Sequence, residues 1–257
     1  ADLLKDQGIN ILLNITFGPI INAARGIAYT VNRAVIGFAS NFMTALSPQI
    51  TKNYASGDRE YTFSLVERGA RFCFYIMFIL SLPLWLEADT ILTLWLKQYP
   101  DHTVNFVRLV LVLSLSEILS STLMYLQLAT GKIRNYQLII GSITLLNFPF
   151  SYATLKLGCP PESPLVIAIV ISTLCMMIRL VLLKRTAGLS IRSFIKNVYI
   201  NIIYVAILSS IIPLAIHTMM DEGWLRMIVT SCTSVIASCI IILFFGCNTQ
   251  PMPELDL

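Results

Sequence analysis

Apolar residues run along this chain in helix-length blocks, at 20–50, 70–86, 104–129, 136–157, 164–183, 194–216 and 224–245, separated by short polar turns. A bilayer core about 30 Å thick takes roughly 17–25 residues of α-helix, so each block can cross it. A shorter apolar piece at 8–17 follows Lys5 and Asp6 and reads as the rear half of a further helix. The pattern predicts an all-α, polytopic integral membrane helix bundle, with seven full transmembrane helices plus one partial, in a chain that is a fragment of something longer. Gly18-Pro19 divides the partial helix from the first full span, a turn with Pro placed at a helix start. Pro83, Pro149 and Pro213 fall near the far ends of their blocks, where they kink or end a helix. The segment 59–71 reads as an amphipathic lead-in to its span, and the tail after Phe245 as disordered.

Composition reinforces this picture. The chain is 56% hydrophobic and 12% charged, against roughly 45–50% and 25% in soluble domains. The distribution of charge orients it. Lys52, Arg59, Arg68 and Arg71, then Lys132 and Arg134, then Lys184, Arg185, Arg192 and Lys196 occupy every second connection. The connections between them hold Glu87, Asp89, Lys97 and Asp101, then Lys156 and Glu162, then Asp221 and Glu222, and are neutral to acidic. By the positive-inside rule the basic set is cytoplasmic. Alternation with spans also excludes a nucleic-acid surface, which would gather its cations on one soluble face.

No catalytic or metal chemistry emerges. Cys73, Cys175, Cys232 and Cys239 fall within spans as packing residues, Cys159 in an outer loop and Cys247 at an inner end, without CxxC spacing. His102 and His217 fall at outer helix ends and read as solvated rings. No nucleophile, histidine and acid can be assembled, so the chain reads as no enzyme, with no cofactor and no metal.

What stands out is the 20–50 span. Asn22, Arg25, Tyr29, Asn32 or Arg33, Ser40, Thr44 and Ser47 follow one slowly drifting helical face, opposite Ile27, Val31, Val35, Phe38, Phe42 and Leu46. A lipid-facing helix has no place for such groups, and intramembrane ionisable residues point to a pathway or a pair. Either Arg25 and Arg33 line a cavity and attract an anion, since guanidinium forks match phosphate or carboxylate oxygens, or they snorkel or pair with Asp6 of the neighbouring helix. Asn10, Asn14 and Asn22 continue the polar surface into the partial helix. Glu117, flanked by Ser114, Ser116, Ser120 and Ser121, is either a proton or ion relay or a protonated carboxyl bonded to those serines. Lys5 and Asp6 lie about 100° apart on a helix and cannot share a face.

The runs FGPIINAARGIAYTVNRAVIGFASNFMTALSPQITKNYASGD, ILTLWLKQYPDHTVNFVRL and LATGKIRNYQ resemble the polysaccharide-biosynthesis flippases of the multidrug/oligosaccharidyl-lipid/polysaccharide exporter (MOP) superfamily, particularly O-antigen and capsule translocases. With the spacing of the spans, the likeness covers nearly the whole chain. It implies a transporter of two helix bundles. Residues 1–186 would then be the second bundle, and 187–257 two trailing transmembrane helices with a short cytoplasmic tail. It implies translocation of an undecaprenyl-pyrophosphate-linked oligosaccharide across a bacterial inner membrane, with a glycan polymerase or ligase as further partners. Arg25, Arg33, Asn22, Asn32 and Asn14 would bind the head group, and Glu117 and Asp6 would be the coupling-ion candidates. Two other readings stay open: a drug or small-cation efflux pump of the same superfamily, and a membrane glycan polymerase or ligase, against which the short outer connections speak.

Overall fold

The computed structural model describes residues 2–246, with side chains from Asp6 onward. Cys247, the Lys5 side chain and the tail expected to be disordered lie outside the described residues. All regular structure within them is helical: α1 (Asp2–Phe17), α2 (Pro19–Ala55), α3 (Arg59–Leu86), α4 (Ala88–Leu96), α5 (Thr103–Ala129), α6 (Ile133–Leu145), α7 (Asn147–Lys156), α8 (Ser163–Thr186), α9 (Ile191–Phe194), α10 (Asn201–Met219) and α11 (Trp224–Ile241). π-helical turns at Ile195–Ile200 and Ile242–Gly246 join α9 to α10 and extend α11.

Among the described residues, six helices are long and apolar enough to cross a membrane: Arg59–Leu86, Thr103–Ala129, Ile133–Lys156, Ser163–Thr186, Ile191–Met219 and Trp224–Gly246. The chain is a multi-pass helical membrane protein. These six coincide with six of the seven expected spans. The exception is α2, whose 37 residues reach about 55 Å but carry enough Asn, Arg and Ser to fall outside that apolar set. Exposed side chains of the other helices, such as Leu138, Val170, Ile207 and Ile236, form the greasy surface that lipid requires.

The boundaries follow local chemistry. Gly18, with φ +83°, donates its N–H to Asn14 O at 3.0 Å and stops α1; Pro19, which has no N–H to lose, opens α2. Asp58 caps α3 by accepting from Tyr61 N at 3.0 Å. The expected amphipathic lead-in is therefore no separate piece: 59–71 forms the opening turns of α3, with Glu67 and Arg71 buried. Pro149 does more than kink its helix. The ring cannot donate to the carbonyl four residues back, and the chain breaks at Leu146 into α6 and α7.

Central in the bundle, α5 packs against α2, α3 and α8. Small residues allow the approach. Ala24, Ala28 and Ala39 form the buried side of α2, and a Cβ placed on Gly69 of α3 would come within 2.2 Å of Leu46 Cδ2 and 3.4 Å of Thr122 Cγ2. Beyond α3 lie α10 and α11, packed on each other and on α3. The π turns are satisfied from α3: Arg71 Nη1 donates to Asn197 O at 3.3 Å, and Tyr75 bonds Asn201, whose Nδ2 donates to Phe245 O at 3.2 Å.

Polar knots tie the helix ends. At the basic end, Glu67 accepts from Ser193 Oγ and Asn197 Nδ2, both at 2.8 Å. At the opposite end Glu87, its side chain fully buried, meets His217 Nδ1 at 2.9 Å and Arg226 Nε at 3.2 Å. Glu162 meets His102 Nδ1 at 2.7 Å and accepts from Asn105 Nδ2 at 3.1 Å. The histidines expected to be solvated are thus partners of buried carboxylates, because the returning helices bring their ends together. Burial opposes ionisation of Glu87, yet the His217 hydrogen bond and the Arg226 charge outweigh it and hold the carboxyl below its usual range; for Glu162, His102 and Asn105 do the same.

Since the Glu87 pKa is lowered on folding, its stabilising contribution is full above the ordinary carboxylate range and is lost as pH falls through the depressed folded value. Thermal unfolding in detergent should show an acid-side loss of stability that Glu87→Gln diminishes. Arg226→Ala should cost about 3–5 kcal/mol at neutral pH, because it strips a buried carboxylate of its cation; an unchanged melting temperature would contradict the pairing.

Candidate functional site

A polar cavity of about 320 Å³ lies between α1, α5, the α6–α7 break and α8. Asp6 reaches it from α1, Glu117, Ser120 and Ser121 from α5, Asn147 from the break, and Ser172 and Arg179 from α8. The break explains one of these contributions. Asn147 opens α7 fully inside the protein, its Oδ1 accepting from Ser151 Oγ at 2.8 Å, and a discontinuous helix is tolerated at membrane depth where it is buried or lines a cavity. Arg179 Nη1 donates to Ser120 O at 3.1 Å, and the guanidinium sits 5.8 Å from the Tyr136 ring centroid. Its buried Nε has no hydrogen-bond partner among the described residues. Ser116 Oγ joins α5 to α8 through Ser172 Oγ at 3.1 Å.

Beside this cavity lies a second, water-sized space of about 10 Å³, which shares Asp6 and Asn147 with it and is also lined by Arg25 and Tyr29. Arg25 is 5% exposed. It bonds Asn10 Oδ1, donates to Tyr29 Oη at 3.3 Å and lies 3.7 Å from Asp6 Oδ1. Asn22 Nδ2 donates to Asn10 O at 3.2 Å. Of the two alternatives for Arg25, the geometry shows the ion pair with Asp6, made at the edge of the cavity rather than away from it.

The candidates divide three ways. Asn22 and Arg25 meet on Asn10, Arg25 pairs with Asp6, and Asp6 and Glu117 share the larger cavity, with the Glu117 side chain exposed in it. Asn32 is buried, and its Oδ1 has no hydrogen-bond partner among the described residues. Arg33 and Asn14 are exposed on the outer surface. The polar stripe of α2 is therefore split. The buried side runs through Ala24, Arg25, Ala28, Asn32, Val35 and Ala39, and the exposed side through Gly26, Thr30, Arg33, Ser40, Asn41 and Thr44. The face turned into the bundle is the one that carries the small residues Ala24, Ala28 and Ala39, not one that keeps all polar groups together.

Arg179 and Asn147 escaped the sequence reading. Arg179 carried the same signal as Arg25, a lone guanidinium inside an apolar block. Asn147 had only its position two residues before Pro149 to mark it.

Among the described residues, no group of three or more His, Cys, Asp or Glu side chains is placed to hold a metal ion. Compared with family models, curated proteins and solved structures, the chain matches none.

The two α2 arginines should behave differently. Arg25→Ala removes a buried guanidinium from its partly buried acceptors and should destabilise the fold by about 1–3 kcal/mol, whereas the exposed Arg33→Ala should stay within about 0.5 kcal/mol. Denaturation of the two variants in one detergent compares them directly.

Proposed function

We propose that the protein translocates a lipid-linked oligosaccharide, carried on undecaprenyl pyrophosphate, across a bacterial inner membrane for surface polysaccharide synthesis, and that it is a transporter rather than an enzyme. The observation that carries this is the exposed face of α2. In a protein whose other long helices show lipid-facing apolar side chains, α2 leaves Gly26, Thr30, Arg33, Ser40, Asn41 and Thr44 uncovered, with Phe38 among them. Hydrocarbon cannot solvate that face, so water, a polar substrate or a second helix bundle must cover it.

On this proposal α2 is the seventh full span and its uncovered face is one wall of a hydrated path. Sugar hydroxyls suit its Ser, Thr and Asn side chains, and Arg33 offers the fork for pyrophosphate oxygens. Asn14 and Asn22 extend the wall toward α1, while Arg25 and Asn32 support it from the buried side. The lipid tail stays in the bilayer, against the apolar surfaces of the neighbouring helices. Asp6 and Glu117, together in the 320 Å³ cavity, are where a proton or cation would bias two conformations of the path. Arg25 couples that cavity to the path, since its guanidinium holds Asp6 while its helix bears Arg33.

The two carboxylates in one cavity favour a second reading, small-cation efflux. Arg179 and Arg25 beside them weigh against it, because guanidinium groups repel a cationic substrate.

In the full-length protein, Arg33→Gln should reduce surface polysaccharide about tenfold or more at unchanged protein level, the loss of one charge-assisted hydrogen bond to an anion being worth about 1.5–3 kcal/mol. Normal export by this variant would overturn the assigned role of α2. Resistance to cationic dyes falling in Glu117→Gln, with polysaccharide unaffected, would favour efflux instead.

A further inference from the structure

Toward the basic end of the molecule, about one turn of α8 beyond Arg179, a groove of about 490 Å³ opens between α6 and α8. Its mouth carries Lys132, Arg134 and Arg185, all exposed. Apolar side chains, Ile133, Ile139 and Leu182, form the rest of its walls. No carboxylate is among the described residues that line it. The floor is rigid. Gln127, fully buried, donates from Nε2 to Lys132 O at 2.9 Å and to Thr130 Oγ1 at 3.1 Å. Its Oε1 accepts from Thr186 Oγ1 at 3.1 Å, so the Gly131 turn is pinned to α8. The opening turn of α6 belongs to the lining and receives no side-chain cap, leaving backbone N–H groups at a positive helix end. Tyr136, which also lines the groove, is 4% exposed, and its hydroxyl has no hydrogen-bond partner among the described residues.

We infer that this groove binds the headgroup phosphate of an anionic phospholipid from the leaflet at the basic end, with an acyl chain lying along Ile139 and Leu182. Three cations, an uncapped helix start and an apolar slot in continuity match a phosphodiester attached to a hydrocarbon tail. Basic pockets between transmembrane helices on the cytoplasmic side take such headgroups. A free anion would use the cations and leave the slot idle. The site does not depend on the transport proposal, since none of the residues that line it lines the polar cavity.

Native mass spectrometry of the full-length protein in detergent tests it, with phosphatidylglycerol, phosphatidylethanolamine of the same acyl chains, and inorganic phosphate as probes. Phosphatidylglycerol should bind and phosphatidylethanolamine should bind more weakly. Combining Lys132→Gln, Arg134→Gln and Arg185→Gln should weaken phosphatidylglycerol about a hundredfold, at about fivefold for each charge near the headgroup. These side chains are exposed, so the melting temperature should hold. A control triple, Lys184→Gln, Arg192→Gln and Lys196→Gln, removes equal charge from the same end outside the groove and should leave affinity unchanged. Equal weakening by both triples would reduce the effect to general surface potential and overturn the site. Displacement of the lipid by millimolar inorganic phosphate would make it a site for a free anion and overturn the lipid assignment.

Discussion

A charged or amide side chain placed in hydrocarbon must find its partner within the protein, and here distant helices supply those partners. Glu87 closes the end of α3 only because α10 and α11 return beside it with His217 and Arg226. Glu67 at the other end of α3 is satisfied by Ser193 and Asn197. Each such group costs several kcal/mol alone and little once met, so the knots select one arrangement of helices that apolar packing against lipid-like neighbours would barely distinguish. Helix α3 consequently serves as the spine to which the α10–α11 pair is fastened at both ends.

The same constraint shapes the centre of the bundle. α2 has more polar groups than one protein-facing stripe can hold. Close packing through Ala24, Ala28 and Ala39 fixes its rotation, buries Arg25 against Asp6 and Asn10, and leaves Arg33 outside. Stability and proposed function are thereby divided along one helix: the buried arginine holds α1 to α2, and the exposed one is free to meet a substrate. A helix with only one of these faces would be either a packing element or a channel wall.

Where backbone regularity fails, chemistry gathers. The break forced by Pro149 delivers Asn147 to the edge of both cavities, and the π turns meet Arg71, Tyr75 and Asn201. Arg179, Asp6 and Glu117 reach one polar space from three helices. There opposed charges face one cavity of about 320 Å³.

Hydrophobic period and block length determined the helices, because a span must be long and apolar whatever it packs against; five of them were legible to within a few residues, and the sixth, Arg59–Leu86, apart from its opening turns. Glu117, Asp6 and the polar character of α2 were legible for the same reason, as polar groups where lipid forbids them. Tertiary structure alone decided which of those groups meet. That His102 and His217 bind carboxylates sixty and 130 positions away along the chain, that Arg25 turns inward while Arg33 turns outward, and that Arg179 joins Asp6 at one cavity are consequences of helix rotation and contact. Rotation depends on small-residue packing between helices, information that no single stretch of sequence contains.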